Sequence, residues 1–152
     1  MSSDTKKTAL IYTVAVFFMV LDRFFKIAAY QYQINFEIFG SWFKFAFAPN
    51  PNIAFSLPLG GVFLEIIIAF ILVALILILK KMYEEGDVHL FFLFTLIFSG
   101  AVSNFYDRLV YGFVIDYLDL QYFTVFNVAD IIIVTGAVLA LVKIYFFPKL
   151  KN

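Results

Sequence analysis

Gly61–Leu79 reads GVFLEIIIAFILVALILIL and runs straight into Lys80-Lys81. As a helix that stretch rises about 28 Å, close to the ~30 Å hydrocarbon core of a bilayer. A soluble core helix has no need of so long an unbroken apolar run. Three more runs share its character, at about Thr8–Tyr30, His89–Tyr106 and Val128–Phe147. In a chain of 152 residues, 64% of them hydrophobic, four such runs leave little sequence for a soluble domain. The expectation is a mainly α membrane protein, residues 1–152 forming a single integral membrane domain with spans at about 8–30, 61–79, 89–106 and 128–147.

Lysines orient the bundle. Lys6 and Lys7 precede the first span, Lys80 and Lys81 follow the second, and Lys149 and Lys151 follow the fourth. Four spans put these three segments on one side, which the positive-inside rule makes cytoplasmic, so both termini are expected there. The opposite side carries only Lys44 and Arg108 near its loops. The charged-then-apolar start resembles a signal peptide, but Asp22, Arg23 and Lys26 occupy the place of a cleavage region, so it reads as a retained span. A net charge of zero and the lack of a basic patch argue against nucleic-acid binding. With no cysteine, disulfides and thiol catalysis are excluded.

Two outer loops follow, at 31–60 and 107–127. In the first, Ile34, Phe36 and Ile38 alternate with polar residues, Gly40-Ser41 reads as a turn, and Phe43, Phe45 and Phe47 resume the alternation. Period-2 patterning on both sides of a turn predicts a small outer β-hairpin, with Trp42 beside its aromatic face at the membrane interface. Asn50-Pro51-Asn52 breaks the pattern, and the second loop alternates only weakly, at Phe113–Tyr117. Lys80–Val88 reads as a short charged turn between antiparallel helices.

Polar residues inside such a chain are the functional candidates, because an ionisable group in hydrocarbon is costly. Asp22 lies about 21 Å along its helix from Thr8, in the outer half, with Lys26 on the same face at i,i+4. That pair reads either as an ion pair fixing helix packing or as the support of a site. Ser99, Ser103 and Asp107 share one face of the third span, and Gly100, Asn104 and Arg108 the adjacent one. The small residues suit close helix packing, while Asn104, Asp107 and Arg108 form a polar cluster at the outer end. Asp116 in the second loop and Asp130 one turn into the fourth span, beside Asn127, fall on the same outer side. Close carboxylates share a proton near neutral pH, which supplies an acid and a base together. The alternative is a helix-capping Asp130 and a solvated Asp116. His89, the only histidine, starts the third span on the inner side, too far from the outer serines for a Ser–His pair. A Ser–Lys pair of Ser56 with Lys44 or Lys26 has no supporting spacing, and the usual zinc ligands are missing.

At these residues the chain resembles the bacterial lipoprotein signal peptidase (signal peptidase II) family. Asp22-Arg-Phe-Phe-Lys26 matches its first motif, and Asn50-Pro-Asn-Ile-Ala54-Phe55-Ser56 its Asn-x-Gly-Ala-Ala-Phe-Ser motif. Ser99-Gly-Ala-Val-Ser-Asn104-Phe-Tyr-Asp107-Arg108 matches Gly-Gly-Ala-x-Gly-Asn-x-x-Asp-Arg. Gly112-Phe-Val114-Ile-Asp116 and Phe126-Asn127-Val-Ala129-Asp130 are intact. The resemblance implies an aspartic endopeptidase that removes the signal peptide from diacylglyceryl-modified prolipoproteins at the outer face of the cytoplasmic membrane. It implies Asp116 and Asp130 as the catalytic dyad, Asn50, Asn104, Arg108 and Asn127 as residues orienting substrate or dyad, and Asp22, Lys26 and Asp107 as scaffold. No metal or organic cofactor is implied. The expected partners are lipidated prolipoproteins and membrane lipids, with the enzyme acting as a monomer. Departures from the family pattern are Arg23 for Gln, Asn52 and Ile53 for Gly-Ala, and Ser99 and Ser103 for glycines. A proton-conducting relay or an inert membrane scaffold are the competing classes, and a relay would need acids spread through the membrane depth.

Overall fold

The computed structural model describes residues 3–51 and 61–147. Four helices, α1 (Ser3–Tyr30), α2 (Val62–Glu84), α3 (Val88–Tyr111) and α4 (Val128–Phe146), are each long and apolar enough to cross a membrane. Several outrun the apolar windows that announce them. α2 continues past Leu79 because Lys80 and Lys81 meet Glu84 and Glu85 at i,i+4, 3.8 and 3.9 Å away, so the expected turn begins later. Such exposed pairs add a few tenths of a kcal/mol each. α3 starts on the Asp87 side chain, which accepts from the Leu90 amide, and runs on to Tyr111. It stops at Gly112, whose φ of 78° is a left-handed closure that glycine adopts freely.

α3 is the hub. It packs against the other three helices and buries the largest share of its residues. Against α4 the approach is very close: a Cβ on Gly100 would lie 2.7 Å from the Ala129 carbonyl oxygen, and one on Gly136 would lie 2.8 Å from Ile97. These contacts run antiparallel, Gly100 meeting the start of α4 and Gly136 lying beside Leu93. Without a hydrophobic drive between helices in lipid, small residues that bring backbones together are what hold such a pair. At one end of the bundle Ile11, Met82 and Phe91 cluster, joining the start of α1, the end of α2 and the start of α3.

The opposite end carries an antiparallel four-stranded sheet in the order β1 (Phe36–Phe39), β2 (Phe43–Asn50), β3 (Val114–Leu120), β4 (Thr124–Phe126). The hairpin expected between Ile34 and Phe47 forms, with its turn at Gly40. The second loop contributes the other half of the sheet. Its strand signal is weak because Val114, Ile115, Asp116 and Tyr117 are all buried, so no face alternates with solvent. One extra residue on β2 between Phe45 and Ala48 shifts its register against β3: Phe45 faces Leu118, but Ala48 faces Asp116 and Asn50 faces Val114. This bulge places Asn50 diagonally beside Asp116 on the pleated surface.

Aromatic rings weld the sheet to the bundle. Phe45 is buried against Phe25 of α1 and Tyr117 of β3, with Phe36 stacked on it at 5.3 Å. Tyr30 meets Phe47, Tyr111 and Phe113. The aromatic row of the hairpin is therefore divided: its middle packs on α1, whereas Trp42 at its tip is exposed and meets Tyr122, from the turn between β3 and β4, edge to face. Gly100→Ala should lower the unfolding temperature of the detergent-solubilised protein, in line with the ~1–3 kcal/mol cost of overpacking. An unchanged melting curve would show that α4 can shift away freely.

Candidate active site

The site grows from the start of α4, where every exposed amide of the first turn has an acceptor. Asn127 caps the helix: its side-chain oxygen accepts from the Asp130 amide at 2.8 Å, and the Asp130 carboxylate accepts from the Asn127 amide at 3.2 Å. The Val128 amide donates to the Tyr117 hydroxyl at 3.0 Å, and the Ala129 amide to the Asp22 carboxylate at 3.2 Å. A helix start leaves its first amides unpaired, and the partial positive charge there favours anions, so two carboxylates are well placed.

Asn127, fully buried, is the hinge between Asp116 and Asp130. Its side-chain nitrogen donates to Asp116 Oδ1 at 2.6 Å, while its main-chain nitrogen serves Asp130 Oδ2. Asn50 Nδ2 donates to the other oxygen of Asp116 at 3.0 Å, and Asn104 Nδ2 to the other oxygen of Asp130 at 2.7 Å. Each carboxylate is thus held at both oxygens, and three asparagines do the holding. Asp116 is only 2% exposed; burial, with the charge of Asp130 next in weight, raises its pKa from 3.8 to about 7. Asp130 is half-buried. Asp130 does cap α4, as the alternative reading had it, but Asp116 is buried rather than solvated, and the two share Asn127.

Beneath this pair lies a charged layer. Lys26, 1% exposed, donates to Asp22 at 2.9 Å, to Asp107 at 2.8 Å and to Asn104 Oδ1 at 2.8 Å. An ammonium has three protons, and all three are spoken for. With its oxygen on Lys26, the Asn104 amide has only its nitrogen to offer Asp130. Asp107 also accepts from the Ile115 amide, tying α3 to β3. Tyr117, fully buried, donates its hydroxyl to Asp22, and both burial and that carboxylate raise its pKa. Its part is invisible in the sequence, where it looks like one more aromatic of the strand. The i,i+4 spacing of Asp22 and Lys26 announces their ion pair, which forms at 2.9 Å.

Arg108 is buried at the end of α3, and its Nη1 donates to the Pro51 carbonyl at 3.4 Å. The carboxylates bearing on its charge are, in order, Asp116, Asp130, Glu65 and Asp107. Glu65, in the first turn of α2, is a further acid that hydropathy reading passes over because its run is otherwise so apolar. Asn52, Ile53 and Ser56 lie outside the described residues. Lys44, offered as a partner for Ser56, pairs with Glu37 at 3.8 Å.

The family Peptidase_A8, signal peptidase (SPase) II, matches residues 14–146. The chain belongs to the signal peptidase II family. It is a peptidase and a multi-pass membrane protein. A lipoprotein signal peptidase of Moorella thermoacetica is 33% identical over 83% of this chain and 86% of that protein. One from Caldicellulosiruptor bescii is 36% identical over 80% and 81%, and one from Psychromonas ingrahamii 32% over 91% and 86%. Among solved structures, a bacterial membrane enzyme determined by the in meso method at 1.9 Å resolution superposes with a TM-score of 0.75, at 25% identity, over 90% of this chain and 93% of that one. A second, at 2.3 Å resolution, gives 0.75 at 23% identity over 95% and 94%, a likeness of fold. The five sequence motifs thus belong to a signal peptidase II chain, and the described motif residues converge at the sheet end of its bundle.

The raised pKa of Asp116 has a consequence for stability. The folded protein holds this proton between about pH 4 and 7 while the unfolded chain has released it, so the contribution is full below the unfolded value and is lost as pH rises toward 7. Asp116→Asn should remove that decline: across pH 4 to 8, the variant's unfolding temperature should gain on wild type as pH rises. Parallel curves for the two proteins would contradict the burial seen here.

Proposed function

We propose that this protein is an aspartic endopeptidase that cleaves diacylglyceryl-modified prolipoproteins, with Asp116 and Asp130 as its catalytic pair. The observation that carries the reading is the shared asparagine: Asn127 holds one carboxylate by its side chain and the other by its main chain. Such a clamp joins two acids through neutral amide donors.

Asp116, nearly sealed from water, keeps the proton that the pair shares. Asp130, half-buried and held as an acceptor by Asn104 and the Asn127 amide, takes a proton from the attacking water. The water oxygen bonds to the scissile carbonyl carbon while Asp116 donates to the carbonyl oxygen. Collapse of the tetrahedral intermediate breaks the C–N bond: the proton held by Asp130 passes to the leaving amine of the lipid-modified cysteine, and the proton on the former carbonyl oxygen returns to Asp116 as the C=O bond re-forms. Asn50 and Asn104 fix the two carboxylates, Arg108 faces the substrate carbonyls, and Asp22, Lys26 and Asp107 keep the frame. The whole chain acts as one integral membrane unit and as a monomer, among bilayer lipids. Both termini face the cytoplasm, and the sheet and carboxylates face the outer side of the cytoplasmic membrane. The lysine distribution supports that orientation, and a lipid-anchored precursor reaches the site laterally through the bilayer.

Purified wild type should cut a diacylglyceryl-modified precursor and leave the unlipidated one intact in a gel-shift assay. Asp116→Asn and Asp130→Asn should each lower kcat by about 10³-fold or more while remaining folded, as removal of groups acting as one unit does. The wild-type rate should fall above about pH 7, as Asp116 loses its proton. Substantial cleavage by a variant lacking both carboxylates would overturn the assignment.

A further inference from the structure

Arg23 is a second cation in the buried layer, and it is not part of the pattern that marks the site. Its Nη1 donates to Asp107 Oδ1 at 2.6 Å, and its Nη2 donates to the Ser103 hydroxyl at 3.0 Å and the Ser103 carbonyl at 3.3 Å. The same hydroxyl donates onward to Asp22 Oδ2 at 2.6 Å. The guanidinium also lies over the Tyr106 ring, 5.2 Å from its centroid. One face of α3 therefore grips Arg23 at Ser103, Tyr106 and Asp107, one helical turn, with a serine whose side chain does more than let two helices approach.

Charge counting shows what this grip does. Asp22 and Asp107 are both essentially fully buried, and Lys26 stands between them. The family pattern has a neutral Gln in place of Arg23 and a glycine in place of Ser103, so the added guanidinium and the serine that holds it come together in this chain. With Arg23 removed and Ser103 kept, Lys26 is drawn toward the two carboxylates and its bond to the Asn104 oxygen weakens, which loosens the Asn104 nitrogen on Asp130. Arg23 supplies the missing positive charge at the far oxygen of Asp107, so two anions face two cations. Lys26 is left with a proton for Asn104. Buried ionic networks reward complete pairing and penalise a missing member.

We propose that Arg23, locked by Ser103, is a positioning residue for catalysis, acting through Asp107, Lys26 and Asn104 on Asp130; this rests on the peptidase reading above. The groups facing Asp130 and its supports are Asp22 and Lys26 of α1, Glu65 of α2, Asp107 and Arg108 of α3, and Asp116 and Tyr117 of β3. Loss of the Arg23 charge leaves an unbalanced negative charge among them.

The test measures cleavage of a diacylglyceryl-modified precursor over a range of pH, with folding checked by circular dichroism and gel filtration. Wild-type turnover comes first, since its absence would overturn both the peptidase reading and this inference. Arg23→Gln should lower kcat about three- to tenfold with KM unchanged, and should move the acidic limb of the rate profile to higher pH. Arg23→Lys, which keeps the charge without the fork, should restore the wild-type profile. Ser103→Gly should lower kcat with no change in KM and add nothing to Arg23→Gln in the double variant; it carries the test if Arg23→Gln does not fold. An active wild type with Arg23→Gln and Ser103→Gly profiles superimposed on it would overturn the inference alone. So would single effects that simply multiply in the double variant.

Discussion

Everything at the sheet end of the bundle hangs on the carboxylate of Asp22. Sealed from solvent, it accepts from Lys26 of its own helix, Ser103 of α3, Tyr117 of β3 and the Ala129 amide of α4. Four elements that are distant in sequence meet at one side chain. A charge taken so far from water is tolerable only when each lone pair is occupied, so the site is over-determined by necessity. That necessity also orders the layer above it, because the helix start that Asp22 steadies carries both Asn127 and Asp130.

The layers have different chemical tempers. The lower one is ionic and balanced, with Asp22 and Asp107 against Lys26 and Arg23. In the upper one amides orient the acids: Asn50, Asn104 and Asn127 donate to the two carboxylates. A lysine or arginine placed directly on either acid would hold it ionised and unfit it for the proton transfer proposed for it. Asparagine orients a carboxylate without settling its charge. Asn104 joins the layers, taking its direction from the ionic one and giving it to the other.

Much of this was legible in the chain. The four spans follow from apolar runs, the first hairpin from alternation around Gly40, and the Asp22–Lys26 pair from its spacing. Less legible were features set by tertiary burial. Strand β3 hides its alternation because both of its faces are covered, and α2 outruns its apolar window on Lys–Glu pairing. The bulge on β2 that aims Asn50 has no signature in FKFAFAPN itself. Arg23 sits next to Asp22 in sequence and its guanidinium reaches that carboxylate at 3.7 Å, but its closest anion is Asp107 on another helix, 2.6 Å away. The relay reading required acids dispersed along the spans, whereas Asp22, Asp107 and Asp130 gather in one contiguous network.

The position of Asp130 in the last helix bears on how the protein is made. Asp116 lies on an inner strand, flanked by β2 on one side and β4 on the other, and its partner acid arrives only with α4. A ribosome-bound chain whose first three helices have already entered the bilayer has only Asp116 of the two acids and no Asn127 to clamp it. On the proposed pairing of these two acids, hydrolytic competence is deferred to the end of synthesis, and a product truncated before α4 is chemically mute however well its other helices assemble.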